Sequence, residues 1–131
     1  MEQNTILVVD DDVDLLQLTA ATLRRCGFAV LTASSAVKAF ALVEARSDID
    51  LILTDVVMPG LDGLMLADMV KLRYPEIRVV YLTSYPHVVA RQPGYRYGPT
   101  LLRPCRPDEL EAAVRSVLSC GTDGRGFRPA L

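Results

Sequence analysis

The sequence predicts a single α/β domain built on an open parallel β-sheet, and two features of its pattern carry this prediction. Short aliphatic runs alternate with amphipathic stretches along the 131 residues, and polar or charged residues follow most of the runs. This alternation is typical of βαβ units, which place buried parallel strands beside one another. The runs that we predict as strands are residues 5–9, 28–32, 50–54, 77–82 and 100–102.

Two amphipathic stretches predict helices after the first and the second strand. The first ends at Gly27, a residue type that favours a helix C-terminus. Its apolar stripe consists of Val13, Leu16, Ala20 and Leu23. The second begins after Ser34 or Ser35, either of which is a good N-cap. Its apolar stripe consists of Val37, Phe40 and Ala41.

Two further helices are predicted in the second half of the chain. Asp62 can cap one of them, and Pro75 marks its end. Pro107 begins the other, whose first turn is acidic. The apolar residues of these helices are Leu66, Met69 and Val70 in the first and Leu110, Ala113, Val114, Val117 and Leu118 in the second. Both stripes predict packing on the sheet.

The pattern weakens between the fourth and fifth strands and again at the C-terminus. Prolines and glycines between residues 84 and 99 leave only residues 87–92 for a helix, which is fewer than two turns. We therefore expect a weakened or missing fourth helix. Residues 121–131 are rich in glycine and polar residues without periodicity. We expect them to form a flexible C-terminal tail behind a domain of residues 1–120.

Composition excludes several functional classes. The net charge is −2 and there is no Lys/Arg block, whereas a nucleic-acid surface needs clustered cations, so we expect no direct nucleic-acid binding. No run approaches the roughly 18 apolar residues of a membrane span. The three cysteines show no CxxC spacing, which is typical of reduced thiols. These features predict a cytoplasmic protein without membrane partners.

Five side chains at strand ends predict the functional site. Asp10 and Asp11 follow the first strand, and Asp55, Thr83 and Arg103 follow the third, fourth and fifth. The carboxyl ends of parallel strands share the edge at which open α/β sheets bind ligands. Adjacent carboxylates favour a cation, and Mg²⁺ prefers hard oxygen ligands beside phosphate. The pattern indicates Mg²⁺ near a phosphoryl group, and a carboxylate there can attack phosphorus.

Four stretches of the chain resemble the receiver domain of two-component response regulators. They are ILVVDDD at 6–12, DLILTDVVMPGLDGL at 50–64, VVYLTSY at 79–85 and LLRP at 101–104. The resemblance covers residues 5 to about 119, in the family's order and spacing. It implies a doubly wound, flavodoxin-like parallel sheet of five strands in the order 2-1-3-4-5, and it makes residues 1–120 a receiver domain.

The resemblance also implies a function. Asp55 would accept a phosphoryl group from a histidine kinase or a histidine phosphotransfer protein, and the single domain would signal by protein–protein contact. Mg²⁺ would be held by Asp11, Asp55 and the backbone carbonyl of Val57, with Asp10 in support. Thr83 would contact the phosphoryl group. The chain would not be an enzyme beyond self-phosphorylation and self-dephosphorylation.

The chain departs from the family pattern at several positions. Arg103 stands where the family has lysine, and it replaces a compact ammonium with a planar fork. Thr100 occupies the position of an aromatic switch residue, and the implied cis peptide bond falls between Arg103 and Pro104. The resemblance implies that Val57 and Tyr85 flank the path of the hydrolytic water, where the Tyr85 ring would slow loss of phosphate. We expect an unusual output surface.

Two alternatives from other classes remain open on the sequence. One is a phosphorylation-independent, receiver-like adaptor in which Arg103 and the altered fourth helix have uncoupled the acidic site from output. The other is a metal-dependent phosphatase with an aspartyl nucleophile, whose usual second acid would fall on Val57.

Overall fold

Strands and helices alternate in the structure, a computed structural model that describes residues 3–84 and 97–119. The elements of this part, in chain order, are β1 Thr5–Val9, α1 Val13–Arg25, β2 Ala29–Ala33, α2 Ala36–Ala45, β3 Leu51–Asp55, α3 Gly63–Arg73, β4 Arg78–Thr83, β5 Thr100–Leu102 and α4 Pro107–Leu118. They confirm the predicted alternation, and their ends fall within one or two residues of those expected.

The five strands form one parallel sheet in the order β2-β1-β3-β4-β5. This confirms the doubly wound, flavodoxin-like class. The register aligns the strand ends, since Asp55 at the end of β3 pairs with Leu82, and Thr83 at the end of β4 pairs with Leu102. The residues that terminate β1, β3, β4 and β5 therefore reach the same edge.

Helices cover both faces of the sheet. Alternate strand residues point to opposite faces, so Ile6 and Val8 belong to one apolar cluster while Leu7 and Val9 belong to the other. α1 and α4 pack on the first face, and α2 and α3 pack on the second. The side chains that α1 and α4 bury are Leu16, Leu23, Leu110, Val114 and Val117. Burial of strands on both faces explains their aliphatic sequences.

Side-chain caps set the starts of three helices. The Asp12 carboxylate accepts hydrogen bonds from the backbone N–H groups of Asp14 and Leu15 at the start of α1. The Ser35 hydroxyl accepts one from the Lys38 N–H at 3.1 Å, so the second predicted cap is Ser35 rather than Ser34. Asp62 caps α3 as predicted, because its carboxylate accepts from the Met65 N–H at 2.8 Å.

Three residues predicted for apolar stripes are exposed instead, namely Val13, Val37 and Ala41. α2 is apolar on most of its surface, so its periodicity did not define the buried side. The structure buries Ala36, Ala39 and Val43. Small residues on the packed face allow α2 to approach the sheet closely, and the larger Val37 side chain is left 65% exposed.

Some predictions fall outside the described residues. One is the weakened or missing helix expected at residues 87–92, between β4 and β5. The others are the role of Tyr85 and the flexible tail at residues 121–131. All three stay predictions. Within residues 3–84 and 97–119, no helix combines the length and the apolar character needed to cross a membrane.

Candidate functional site

β1 places the first two acidic residues at the carboxyl edge of the sheet. The Asp10 backbone N–H donates to the Ala33 carbonyl at 3.2 Å, and its carboxylate accepts from the Asp12 N–H at 2.9 Å. The Asp10 residue is only 1% exposed, whereas Asp11 is exposed. Asp10 is therefore a buried, fixed anion, and Asp11 faces solvent.

Asp55 completes a cluster of three carboxylates. It is the last residue of β3, the strand that pairs directly with β1, and its side chain is 13% exposed. One carboxylate oxygen from each of Asp10, Asp11 and Asp55 lies within 4.8 Å of the others. The structure thus brings together the three acids that the sequence predicted for this edge.

Arg103 joins two of these acids. Its backbone N–H donates to the Thr83 carbonyl at 2.9 Å, which ties the residue to the end of β4. Its guanidinium forms an ion pair with Asp10 through Nη2, and Nη1 lies 3.4 Å from Asp55 Oδ2. The Arg103 side chain is only 14% exposed. The peptide bond that follows, Arg103–Pro104, is cis, as the family resemblance implies.

The electrostatic balance at Asp55 is unfavourable to its charged form. The pKa of Asp55 is raised to about 6, chiefly by burial of the carboxyl and also by the negative charges of Asp10 and Asp11. The Arg103 charge and a hydrogen bond from the Val57 backbone N–H lower the pKa in the opposite direction. Desolvation and like charge win despite the nearby cation.

Thr83 and Val57 occupy the remaining predicted positions. Thr83 is fully buried at the end of β4, the strand next to β3. Val57 has a 43% exposed side chain, and only its backbone N–H is seen to bond Asp55. The roles of the Thr83 hydroxyl and the Val57 carbonyl stay predictions.

The donor set fits a hard divalent cation. Three carboxylates converge within 4.8 Å, and carboxylate oxygens are the ligands that Mg²⁺ prefers. Asp11 and Asp55 can offer oxygens directly. Asp10, on the buried side of the cluster, can accept a hydrogen bond from a water molecule bound to the cation.

Gly63 is a site residue that the sequence reasoning missed. A Cβ atom added there would lie 2.1 Å from the backbone oxygen of Asp55. Its N–H donates to the Val56 carbonyl at 2.9 Å, so the start of α3 presses on the segment that carries Asp55. The only signal in the sequence was its place in the LDGL stretch after Asp55.

The raised pKa of Asp55 predicts a pH-dependent effect on stability. The folded state holds this proton more tightly than the unfolded state, so its ionisation costs stability as pH rises through about 6. In EDTA at pH 8, Asp55→Asn should raise the free energy of unfolding by about 1–3 kcal/mol. At pH 4 most of the gain should vanish, because the folded parent is then protonated at Asp55 and the unfolded parent, with an ordinary aspartate pKa of about 3.9, is about half protonated.

Urea unfolding at the two pH values measures this difference. Asp62→Asn is the matched control, because asparagine caps a helix as well as aspartate and the change should be close to neutral. If Asp55→Asn raises the free energy of unfolding equally at pH 4 and pH 8, ionisation of the Asp55 carboxyl is not the cause of the gain.

Comparison with known proteins agrees with this geometry. A family model described as the response regulator receiver domain matches residues 6–115. The probable transcriptional regulator ycf27 of Cyanidium caldarium is 31% identical over 118 residues, which cover 88% of this chain and 47% of that protein. The chain spans about half the length of the ycf27 relatives that it matches.

Solved structures of receiver domain proteins have the same fold as this chain. A receiver domain protein from Clostridium thermocellum has a TM-score of 0.78 at 28% identity, covering 88% of this chain and 94% of its own. TrrA from Thermotoga maritima, crystallised with Mg²⁺-BeF, has a TM-score of 0.82 at 25% identity, covering 88% and 99%.

The family match reaches all five strands and most of α4. Receiver domains are phosphoacceptors of two-component signal transduction rather than typical enzymes. In general they depend on Mg²⁺ and interact with histidine kinases or phosphotransfer proteins. By its matched family model, its curated relatives and its fold, this chain belongs to the response regulator receiver domain family.

Proposed function

We propose that this chain accepts a phosphoryl group on Asp55 in a Mg²⁺-dependent reaction in the cytoplasm, and that it signals by contact with another protein. The donor is a histidine kinase or a histidine phosphotransfer protein. One observation carries the proposal: the Asp55 carboxylate stands at the sheet edge, clustered with Asp10 and Asp11 within 4.8 Å.

The side chains of the cluster divide the work of phosphoryl transfer. An Asp55 oxygen attacks the phosphorus, the bond from phosphorus to the donor's imidazole nitrogen breaks, and the imidazole leaves with the bonding electrons. The Arg103 guanidinium, with Nη1 3.4 Å from Asp55 Oδ2, offers positive charge beside the incoming group. Thr83 offers a hydroxyl from the neighbouring strand end.

Asp11, Asp55 and the Val57 carbonyl are the residues proposed to hold Mg²⁺, with Asp10 behind them. When bound, the ion offsets the charge of the carboxylates and of the phosphoryl oxygens. Asp10 stays in place because the Asp12 N–H fixes one of its oxygens at 2.9 Å.

Intact-mass measurement tests the proposal directly. The full chain is incubated with acetyl phosphate and Mg²⁺, and a parallel sample contains EDTA. We expect the mass of one added phosphoryl group in the first sample and none in the second. No mass gain with Mg²⁺, or an equal gain in EDTA, would contradict a Mg²⁺-dependent phosphoacceptor.

A phosphorylation-independent adaptor is the second candidate, and one observation favours it. Arg103 pairs with Asp10 and lies 3.4 Å from Asp55, so its charge offsets part of the acidic charge that would attract a metal ion. Such an adaptor should fail to bind beryllofluoride in the presence of Mg²⁺, whereas a phosphoacceptor should bind it. The phosphatase alternative is weaker, because Val57 supplies no second acid.

A further inference from the structure

The Arg103 guanidinium occupies the same acidic cluster that a metal ion would need. Nη2 pairs with Asp10 Oδ2, and Nη1 lies 3.4 Å from Asp55 Oδ2. Both acids belong to the cluster whose carboxylate oxygens lie within 4.8 Å of one another. One side chain thus contacts two of the three acids.

A divalent metal ion and the Arg103 guanidinium cannot bind these oxygens together without a large cost in free energy. The exposed fractions of the Arg103, Asp10 and Asp55 side chains are 14%, 1% and 13%. Water screens charges weakly at such depth, so attraction and repulsion are both stronger than at the surface. A divalent ion in the cluster would attract the same lone pairs and repel the guanidinium.

The fork of arginine matters for this contact. Its two terminal nitrogens reach two different carboxylates, whereas a lysine ammonium is a single compact charge. The Arg103 backbone is held by the hydrogen bond to Thr83, so only the side chain can move away. It borders an open groove of about 510 Å³, lined in part by Leu15, Leu18, Ser84 and Cys105, which offers space for it.

We propose that Arg103 is a tethered counter-ion that competes with the divalent cation for Asp10 and Asp55. Metal binding then requires the guanidinium to leave the cluster. The apparent association constant for the metal equals the intrinsic constant multiplied by the fraction of molecules in which Arg103 is displaced. This inference rests on the proposed metal site, and it adds a positioning role for Arg103 before any phosphoryl group arrives.

Manganese binding to the full chain tests the competition. Mn²⁺ takes the same oxygen ligands as Mg²⁺, and its free form is measured by electron paramagnetic resonance. We expect Arg103→Met to bind Mn²⁺ about tenfold more tightly than the parent. The control is Arg106→Met, which removes a charge from an exposed pair with Asp108 at 2.7 Å. It should change the affinity less than about twofold.

Arg103→Lys provides a second variant that keeps the charge. Its affinity for Mn²⁺ should fall between those of the parent and Arg103→Met. If both variants bind Mn²⁺ as tightly as the parent or more weakly, the proposed competition is wrong.

Asp11→Asn shows whether the bound ion is in the cluster. If neither the parent nor Arg103→Met binds Mn²⁺ there, the proposed metal site is wrong as well. If both bind equally, only the competition is wrong.

Thermal unfolding separates competition from simple damage to the fold. In EDTA the melting temperature of Arg103→Met should lie below that of the parent, because the carboxylates have lost their counter-ion. Saturating Mn²⁺ should narrow that difference. A deficit of the same size with and without Mn²⁺ would indicate a purely structural role and would overturn the proposal.

Discussion

Asp55→Asn is expected to lose all labelling by acetyl phosphate, the largest functional effect that we predict. An amide oxygen is a far weaker nucleophile than a carboxylate, and Asp55 is the one member of the three-acid cluster that lies within a strand of the sheet. Asp10 is 1% exposed and paired with Arg103, so it cannot take over. Intact mass after incubation with Mg²⁺ measures the outcome.

Asp62→Asn serves as the matched control for labelling. It makes the same chemical change seven positions later, at a residue whose carboxylate accepts from the Met65 N–H at 2.8 Å. Asparagine preserves this cap, so labelling should equal that of the parent. Labelling of Asp55→Asn at the parental rate would place the phosphoacceptor elsewhere.

Gly63→Ala should cause the largest loss of stability near the site. The new Cβ would meet the Asp55 backbone oxygen at 2.1 Å, and neither partner is a flexible side chain that can move aside. Overpacking of this kind costs about 2–3 kcal/mol. The gain in helix propensity is small at the first position of α3. Urea unfolding should show the loss, and labelling of Asp55 should slow because its backbone must shift.

Gly98→Ala distinguishes a distorted site from a weaker fold. Its Cβ would lie 1.6 Å from the Val79 backbone oxygen, near the start of β4 and away from Asp55. It should destabilise the protein by about 3 kcal/mol, yet label normally where the chain is folded. Equal slowing of labelling in both variants would show that Gly63 acts only through stability.

Most of the fold was predictable because its signals are local. Aliphatic runs bounded by polar residues identify strands buried on both faces, and Asp62 identifies a helix start through its cap. The order of strands came from the family resemblance rather than from periodicity. The exposed side of α2 was missed at Val37 and Ala41, since a helix that is apolar nearly all round leaves its orientation to packing.

The meeting of the acidic residues was predictable from topology. Parallel strands end at a common edge, so acids that follow β1 and β3 must approach one another. Their count and order in the chain are enough to predict a cation site with Asp10, Asp11 and Asp55. The roles assigned to Thr83, Val57 and Arg103 stay predictions from the family pattern.

By itself, the sequence determined the fold class, the strand-end acids and the family to which the chain belongs, because these depend on residue types at regular spacing. Tertiary structure decided which charges touch. The pairing of Arg103 with Asp10, 93 residues apart, and the contact between Gly63 and Asp55 arise only when separate elements pack. The pKa of about 6 at Asp55 likewise depends on burial and on the distances to its neighbours.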